Sequence, residues 1–265
     1  MIMETSSLPA PWRPPGDDLD ALELLQEQFA RTVEVAGEAG LGAPIPWCGT
    51  WRVRDLVDHL ARIHHWAAAR ARREREAPLG RGSLPLPTFY REQAAELAGT
   101  LRALDPDAPA WTLLDDDAAP AEPTGTVRFW HRRQKLETLI HLWDLRTALG
   151  LDLGPLGPAV DAETRAALWE DCVAEVTEVM HPRQLRLGRA PAPGVRITLV
   201  DPRRGPWVLT GAPRGAPEVR ITADALDLSL LLWGRARLGQ ARFAVVGEAS
   251  WITEAERVLT THLTP

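Results

Sequence analysis

"LETLIHLWDLR", residues 136–146, decides how this chain is read. Glu137, His141 and Asp144 stand four and then three residues apart, a spacing that stacks side chains along one face of a helix. Around them lie Leu136, Leu139, Ile140, Leu142 and Trp143, so the helix is bound for a core. The polar face extends from Trp130 and Gln134 to Ala148, beside a stripe of Phe129, Leu136, Ile140 and Trp143. Arg132, Lys135 and Arg146 are left to point outward. A carboxylate and an imidazole on adjacent turns of a core helix need a partner.

One is found upstream, in "TWRVRDLVDHLARIHHWAAARARRERE" (50–76). This stretch reads as a helix with Thr50 as candidate N-cap and a basic C-terminal end. His59 shares a face with Asp55, Leu56, Ile63 and Trp66. Antiparallel neighbours in a bundle would bring His59 against Glu137 and His141, and bundle cores build metal sites from facing helices in this way. Two imidazoles and a carboxylate suit a divalent transition metal, zinc first, and three protein ligands leave a coordination position open. Asp144 is then placed to orient an imidazole from behind. The same residues also fit a plainer reading, an i,i+4 pair that stabilises a helix plus a hydrogen-bonded core histidine. His64, His65 and His131 are weaker ligand candidates, the last two because they fall off the two faces. His181 and His262 read as surface or loop residues.

The rest of the chain frames this pair of helices. Leu19, Leu22, Leu25 and Phe29 mark an earlier helix with acidic residues at its start. A further helix is expected over about 88–104, and the "LETLIHLWDLR" helix itself over 126–149, with Gly150 as its stop. Four helices with a long acidic loop before the last predict a four-helix bundle over residues 1–152. Residues 153–265 change character. A helix near 159–180 precedes alternating segments around Val195–Leu199, Trp207–Leu209 and Val219–Ile221, which read as strands. A helix in "ADALDLSLLLWGRA" (223–236), a strand in "RFAVVG" (242–247) and a last helix complete a smaller α+β domain.

With 265 residues and a formal net charge of −6, the chain lacks the basic excess of a general nucleic-acid binder. No apolar run reaches the roughly 18–20 residues that span a bilayer, and the N-terminus lacks a secretory pattern, so no membrane partner and a cytoplasmic location are expected. Cys48 and Cys172 show no ligand or redox spacing and read as idle thiols. Of the eleven tryptophans, Trp51, Trp66 and Trp130 are candidate pocket walls.

Three segments in order carry a family resemblance. The first is "WCGTWRVRDLVDHLARIHHWAAA" (47–69), with Trp51, Asp55, Leu56, His59 and Leu60. The second is "TVRFWHRRQKLETLIHLWDLRTALG" (126–150), with Trp130, Arg133, Glu137, His141, Trp143 and Asp144. The third is "DALDLSLLLWGRA" (224–236). Together the chain resembles the mycothiol-dependent maleylpyruvate isomerase family. The resemblance implies a DinB-like four-helix bundle with a sterol-carrier-like α+β domain. It implies a metal held by His59, Glu137 and His141, mycothiol as thiol cosubstrate, and Arg235 as an active-site arginine from the second domain. Where the family often has arginine after the second histidine, this chain has Leu142, which leaves the substrate open. The expected activity is isomerisation or S-conjugation of a small electrophile by a monomer or homodimer. A thiol-independent metal hydrolase and a non-catalytic ligand-binding protein are the competing expectations. Arg235 also fits a plain helix C-terminal cation.

Overall fold

The computed structural model describes residues 18–115, 120–151, 160–261 and 263–264. The Pro-rich start, the 152/153 domain boundary and His262 lie outside them. Helices α1 (Asp18–Leu41), α2 (Val53–Ala71), α3 (Leu86–Ala103) and α4 (Val127–Ala148) form the bundle. Leu22, Leu25 and Phe29 of α1 are buried, as their period requires, along with Leu56, Val57 and Leu60 of α2 and Leu136, Leu139 and Ile140 of α4. Burying each such side chain is worth about 1.5–3 kcal/mol. Helix α4 ends where expected, with Gly150 at φ +64°, a conformation glycine adopts without penalty.

Helix α2 starts later than the Thr50 reading. Ile45 N–H donates to Trp51 O (2.8 Å) and Val53 N–H to Ala43 O (2.9 Å), which holds residues 51–52 extended. Arg52 becomes the N-cap residue, and Asp55 Oδ2 accepts from its backbone N–H at 2.8 Å. The acidic loop is not wholly irregular either. β1 (Pro109–Ala110) and β2 (Gly125–Thr126) pair antiparallel across it.

Helix α5 (Ala162–Glu175) runs through a π-helical turn (Val176–Met180) into α6 (His181–Arg186), so this helical rod passes the stop expected near residue 180. Pro182 lies in the first turn of α6, directly after the π-helical turn. His181, read as a surface residue, is completely buried there.

The sheet has the order β4–β3–β5–β6, from β3 (Arg196–Asp201), β4 (Arg204–Val208), β5 (Glu218–Thr222) and β6 (Ala244–Val246). β3 and β5 run parallel, with Ile197 beside Val219 and Leu199 beside Ile221. All four side chains are buried, while Glu218 and Arg220 alternate outward. Helices α7 (Ala225–Leu232) and α8 (Ala249–Leu259) complete this half. The architecture is thus a helical bundle followed by a smaller α+β part, the expected fold class. Among the described residues no helix is long and apolar enough to cross a membrane.

Lys135, expected to point outward, is fully buried. Its Nζ lies 2.7 Å from both Asp18 Oδ1 and Asp171 Oδ2. The reason is that α1 and α5 both pack on α4, leaving that side no solvent. Arg132 is drawn in as well, to Asp171 (2.8 Å) and Glu178 (3.0 Å), and Arg146 donates to Gln28 at 3.0 Å.

Candidate metal centre

The packing of α2 on α4 brings three sequence-predicted residues to one point. His59 Nε2 lies 3.7 Å from Glu137 Oε1, and His141 Nε2 lies 3.2 Å from the same oxygen. The three donor atoms are all within 4.8 Å of one another, and the two imidazoles meet edge to face with centroids 5.3 Å apart. A tetrahedral ion with bonds of about 2.0–2.1 Å needs donors roughly 3.4 Å apart, close to the separations seen. Burial, aided by His141, pushes the His59 imidazole down to about 3. Burial also holds His141 below its usual range. Both rings are therefore neutral at physiological pH, which is the ligating form. The donor set and its protonation fit a divalent transition metal. Among the described residues it is the one such cluster.

A second layer fixes the first. His141 Nδ1 lies 3.0 Å from Asp144 Oδ2, so the ring donates its Nδ1–H outward and turns the Nε2 lone pair toward Glu137 and His59. Asp144 in turn accepts from Arg235 Nε (3.1 Å) and Nη2 (2.8 Å), a bidentate pair. Burial alone would raise the Asp144 carboxyl, but the hydrogen bonds from His141 and Arg235 outweigh it and hold it below the usual range. On the other side, Arg133 pairs with Glu137 Oε2, leaving Oε1 for the histidines. Arg133 also pairs with the buried Glu175 of α5.

His59, Glu137, His141, Arg133 and Arg235 form one wall of a cavity of about 880 Å³ between the bundle and the α+β part. Trp51 and Trp66 line it as expected, and Trp51 meets the His59 ring at a tilt, centroids 4.9 Å apart. Trp130 does not serve as a wall. It is wholly buried, meets Trp66 edge-on at 5.1 Å and donates from Nε1 to Trp111 O at 2.8 Å. The other histidines are spent elsewhere. His64 Nδ1 meets Gln134 Oε1 at 2.9 Å, and His65 is held between Glu96 Oε2 (2.6 Å) and Ala77 O (3.1 Å). His131 is buried outside the cluster.

Residues 22–146 match the family described as "Mycothiol maleylpyruvate isomerase N-terminal domain". That match takes in most of the bundle, from α1 through α4. The whole chain is also similar in fold to two solved structures. One is the crystal structure of the mycothiol-dependent maleylpyruvate isomerase, with a TM-score of 0.59 at 16% identity over 88% of this chain and 93% of that one. The other is a histidine-to-alanine mutant of that isomerase, with a TM-score of 0.58 at the same identity and coverage. At such identity the likeness establishes the fold. Among curated proteins none matches the chain.

Against this family background, three participants escaped the sequence. Arg133 sits i,i+4 from Glu137, a signal that was present but had been assigned no role. Cys48, read as idle, lines the cavity, with Arg235 Nη2 3.6 Å from its Sγ. Burial, then Asp144, pushes its thiol up to about 11 against the pull of Arg235. Glu175 carried no local sign at all. Arg235 resolves as two things together: it caps the end of α7 by donating to Trp233 O (2.6 Å), and it reaches across to Asp144.

Proposed function

We propose that this chain is a metal-dependent enzyme that uses mycothiol to isomerise a small, electrophilic, anionic substrate. The observation that carries the reading is the convergence of His59, Glu137 and His141 on one wall of a cavity that Arg235 also lines. The family of the bundle supports the thiol and the isomerase class, and the donor set favours zinc. When bound, the metal would favour the thiolate form of the thiol, whose reversible addition to a conjugated double bond lets that bond rotate before the thiol is expelled.

The protein's own residues divide the remaining work. His59, Glu137 and His141 hold the metal. Asp144 fixes the tautomer of His141 and tethers Arg235. Arg235 presents its guanidinium on the cavity wall, where a substrate carboxylate binds and where enolate charge develops, while Arg133 stays with Glu137 and Glu175. Trp51 and Trp66 exclude water and give the substrate an apolar surface. Neither cysteine acts as nucleophile, since burial holds both thiols protonated: Cys48 up to about 11 and Cys172 up to about 12.

The test has two stages. Purified protein is expected to bind about one zinc per chain, and His59→Ala or His141→Ala to abolish this. A cis-configured α,β-unsaturated keto acid is then offered with and without mycothiol, and its isomers are separated by chromatography. Thiol-dependent formation of the trans isomer without net thiol consumption is expected. Absence of metal binding, or turnover indifferent to thiol, overturns the reading. A stable thiol adduct as product replaces isomerisation by S-conjugation.

A further inference from the structure

Glu175 ends α5, immediately before the π-helical turn, and its side chain is 1% exposed. Burial pushes its carboxyl above the usual range, and the cations that oppose this are Arg133, paired directly with it, and then Arg132. Arg133 is itself buried and is gripped on three sides. Glu175 holds one end, Glu137 Oε2 the other, and its guanidinium carbon stands 5.4 Å from the centre of the Trp233 ring, within cation–π range. The arginine therefore cannot move without disturbing a carboxylate that belongs to the candidate metal centre.

We infer that Glu175 is a positioning residue for Glu137, acting through Arg133. The inference rests on the reading that His59, Glu137 and His141 hold a metal. Glu137 has two oxygens, one occupied by Arg133 and one facing the histidines. Glu175 shares the positive charge of Arg133, so that Glu137 keeps enough negative charge to act as a ligand. Remove the Glu175 charge and Arg133 directs its whole charge at Glu137. A divalent ion with neutral His59 and His141 would then face Arg133 with one carboxylate left where two stood. The buried cluster gains one uncompensated positive charge. Through this chain the α+β part of the protein sets the properties of a site whose proposed ligands all lie in the bundle.

The experiment measures metal affinity rather than turnover. Co²⁺ is titrated into metal-free protein, its visible absorption is recorded, and its dissociation constant is obtained by competition with a chelator. Glu175→Gln is expected to weaken Co²⁺ binding about 10- to 100-fold, the usual effect of losing an outer partner of a metal ligand, and to alter the absorption band. Glu175→Asp keeps the charge and should restore part of the affinity. In an Arg133→Met background, Glu175→Gln should add nothing further. Should Glu175→Gln fail to fold, Glu175→Asp carries the test, with an expected loss of a few-fold. Wild-type protein that binds no Co²⁺ overturns the metal reading itself. Wild-type binding with the same affinity and spectrum in the Glu175 variants leaves that reading standing and overturns the positioning role.

Discussion

Replacing Asp144 by asparagine keeps the shape of the side chain and removes its charge. In the native protein the carboxylate is 0% exposed and Arg235 is 12% exposed. It takes hydrogen bonds from three donors: Arg235 Nε at 3.1 Å, Arg235 Nη2 at 2.8 Å and His141 Nδ1 at 3.0 Å. Asparagine brings one acceptor oxygen and an NH₂ group, so at least one of these donors must face another donor. Breaking a buried ion pair by removing one member costs about 3–5 kcal/mol, because the other charge stays behind unpaired. Arg235 keeps its bond to Trp233 O (2.6 Å) and lines the cavity, where water can reach it. The lower end, about 3 kcal/mol, is therefore expected, equivalent to a fall in Tm of roughly 6–12 °C for a chain of this size.

The assay is urea unfolding of metal-free wild type, Asp144→Asn, Arg235→Met and the double variant. Removing both charges leaves nothing unpaired, so the double variant should be less destabilised than the sum of the singles by about 2 kcal/mol. Zinc affinity of Asp144→Asn should fall about 10- to 100-fold as His141 loses its orienting acceptor. A loss below 1 kcal/mol, with additive singles, would falsify the claim that this pair is a desolvated tie between the two parts of the chain.

Lys135→Met should cost less than its complete burial implies, about 1–3 kcal/mol by chemical denaturation. Asp171 keeps Arg132 at 2.8 Å and Asp18 is partly exposed; a loss above 5 kcal/mol would show that Arg132 does not compensate. His181 is pushed down to about 4 by burial, and among the described residues neither ring nitrogen has a hydrogen-bond partner. Between pH 6.5 and 4 the unfolded chain takes up a proton that the folded state refuses, so this residue costs stability as pH falls through that window, up to about 3 kcal/mol. His181→Leu should gain on wild type progressively from pH 7 to pH 4.5, and an unchanged difference between those pH values counts against the burial. Both cysteines, with thiols raised to about 11 and about 12, should resist iodoacetamide at pH 8 in native protein and react once it is unfolded. Intact-mass detection of rapid native labelling would contradict this.

How far the site could be read from the sequence depends on which contacts are local. Glu137, His141 and Asp144 lie within two turns of one helix, and helical spacing alone put them on one face. His59 followed from the rule that bundle neighbours share their inward faces. Arg235 to Asp144 spans 91 residues and Arg133 to Glu175 spans 42, and no periodicity encodes which turn of α5 or which end of α7 arrives there. Arg235 came only through resemblance, and Glu175 not at all. His181, read as a surface or loop residue, is buried because the helix continues past it through the π-helical turn.

The misreading of Lys135 has a deeper cause. An amphipathic stripe assumes that one side of a helix meets water, and for α4 none does over its middle. Every residue from Arg133 to Leu142 is buried, including Arg133, Gln134, Lys135, Glu137, Thr138 and His141. Buried polar groups must find partners, and several of these do so on neighbouring helices: Lys135 with Asp18 of α1 and Asp171 of α5, Gln134 with His64 of α2, Arg133 with Glu175 of α5. A central helix that is both this buried and this polar thus draws on complementary groups from α1, α2 and α5 as well as on its own. At one corner, Glu137 Oε1 with His59 and His141, the groups turned toward each other are all electron-pair donors apart from whatever proton an imidazole keeps. They open on the cavity rather than on another helix. That arrangement supports the proposal that the corner takes a cation arriving from solution.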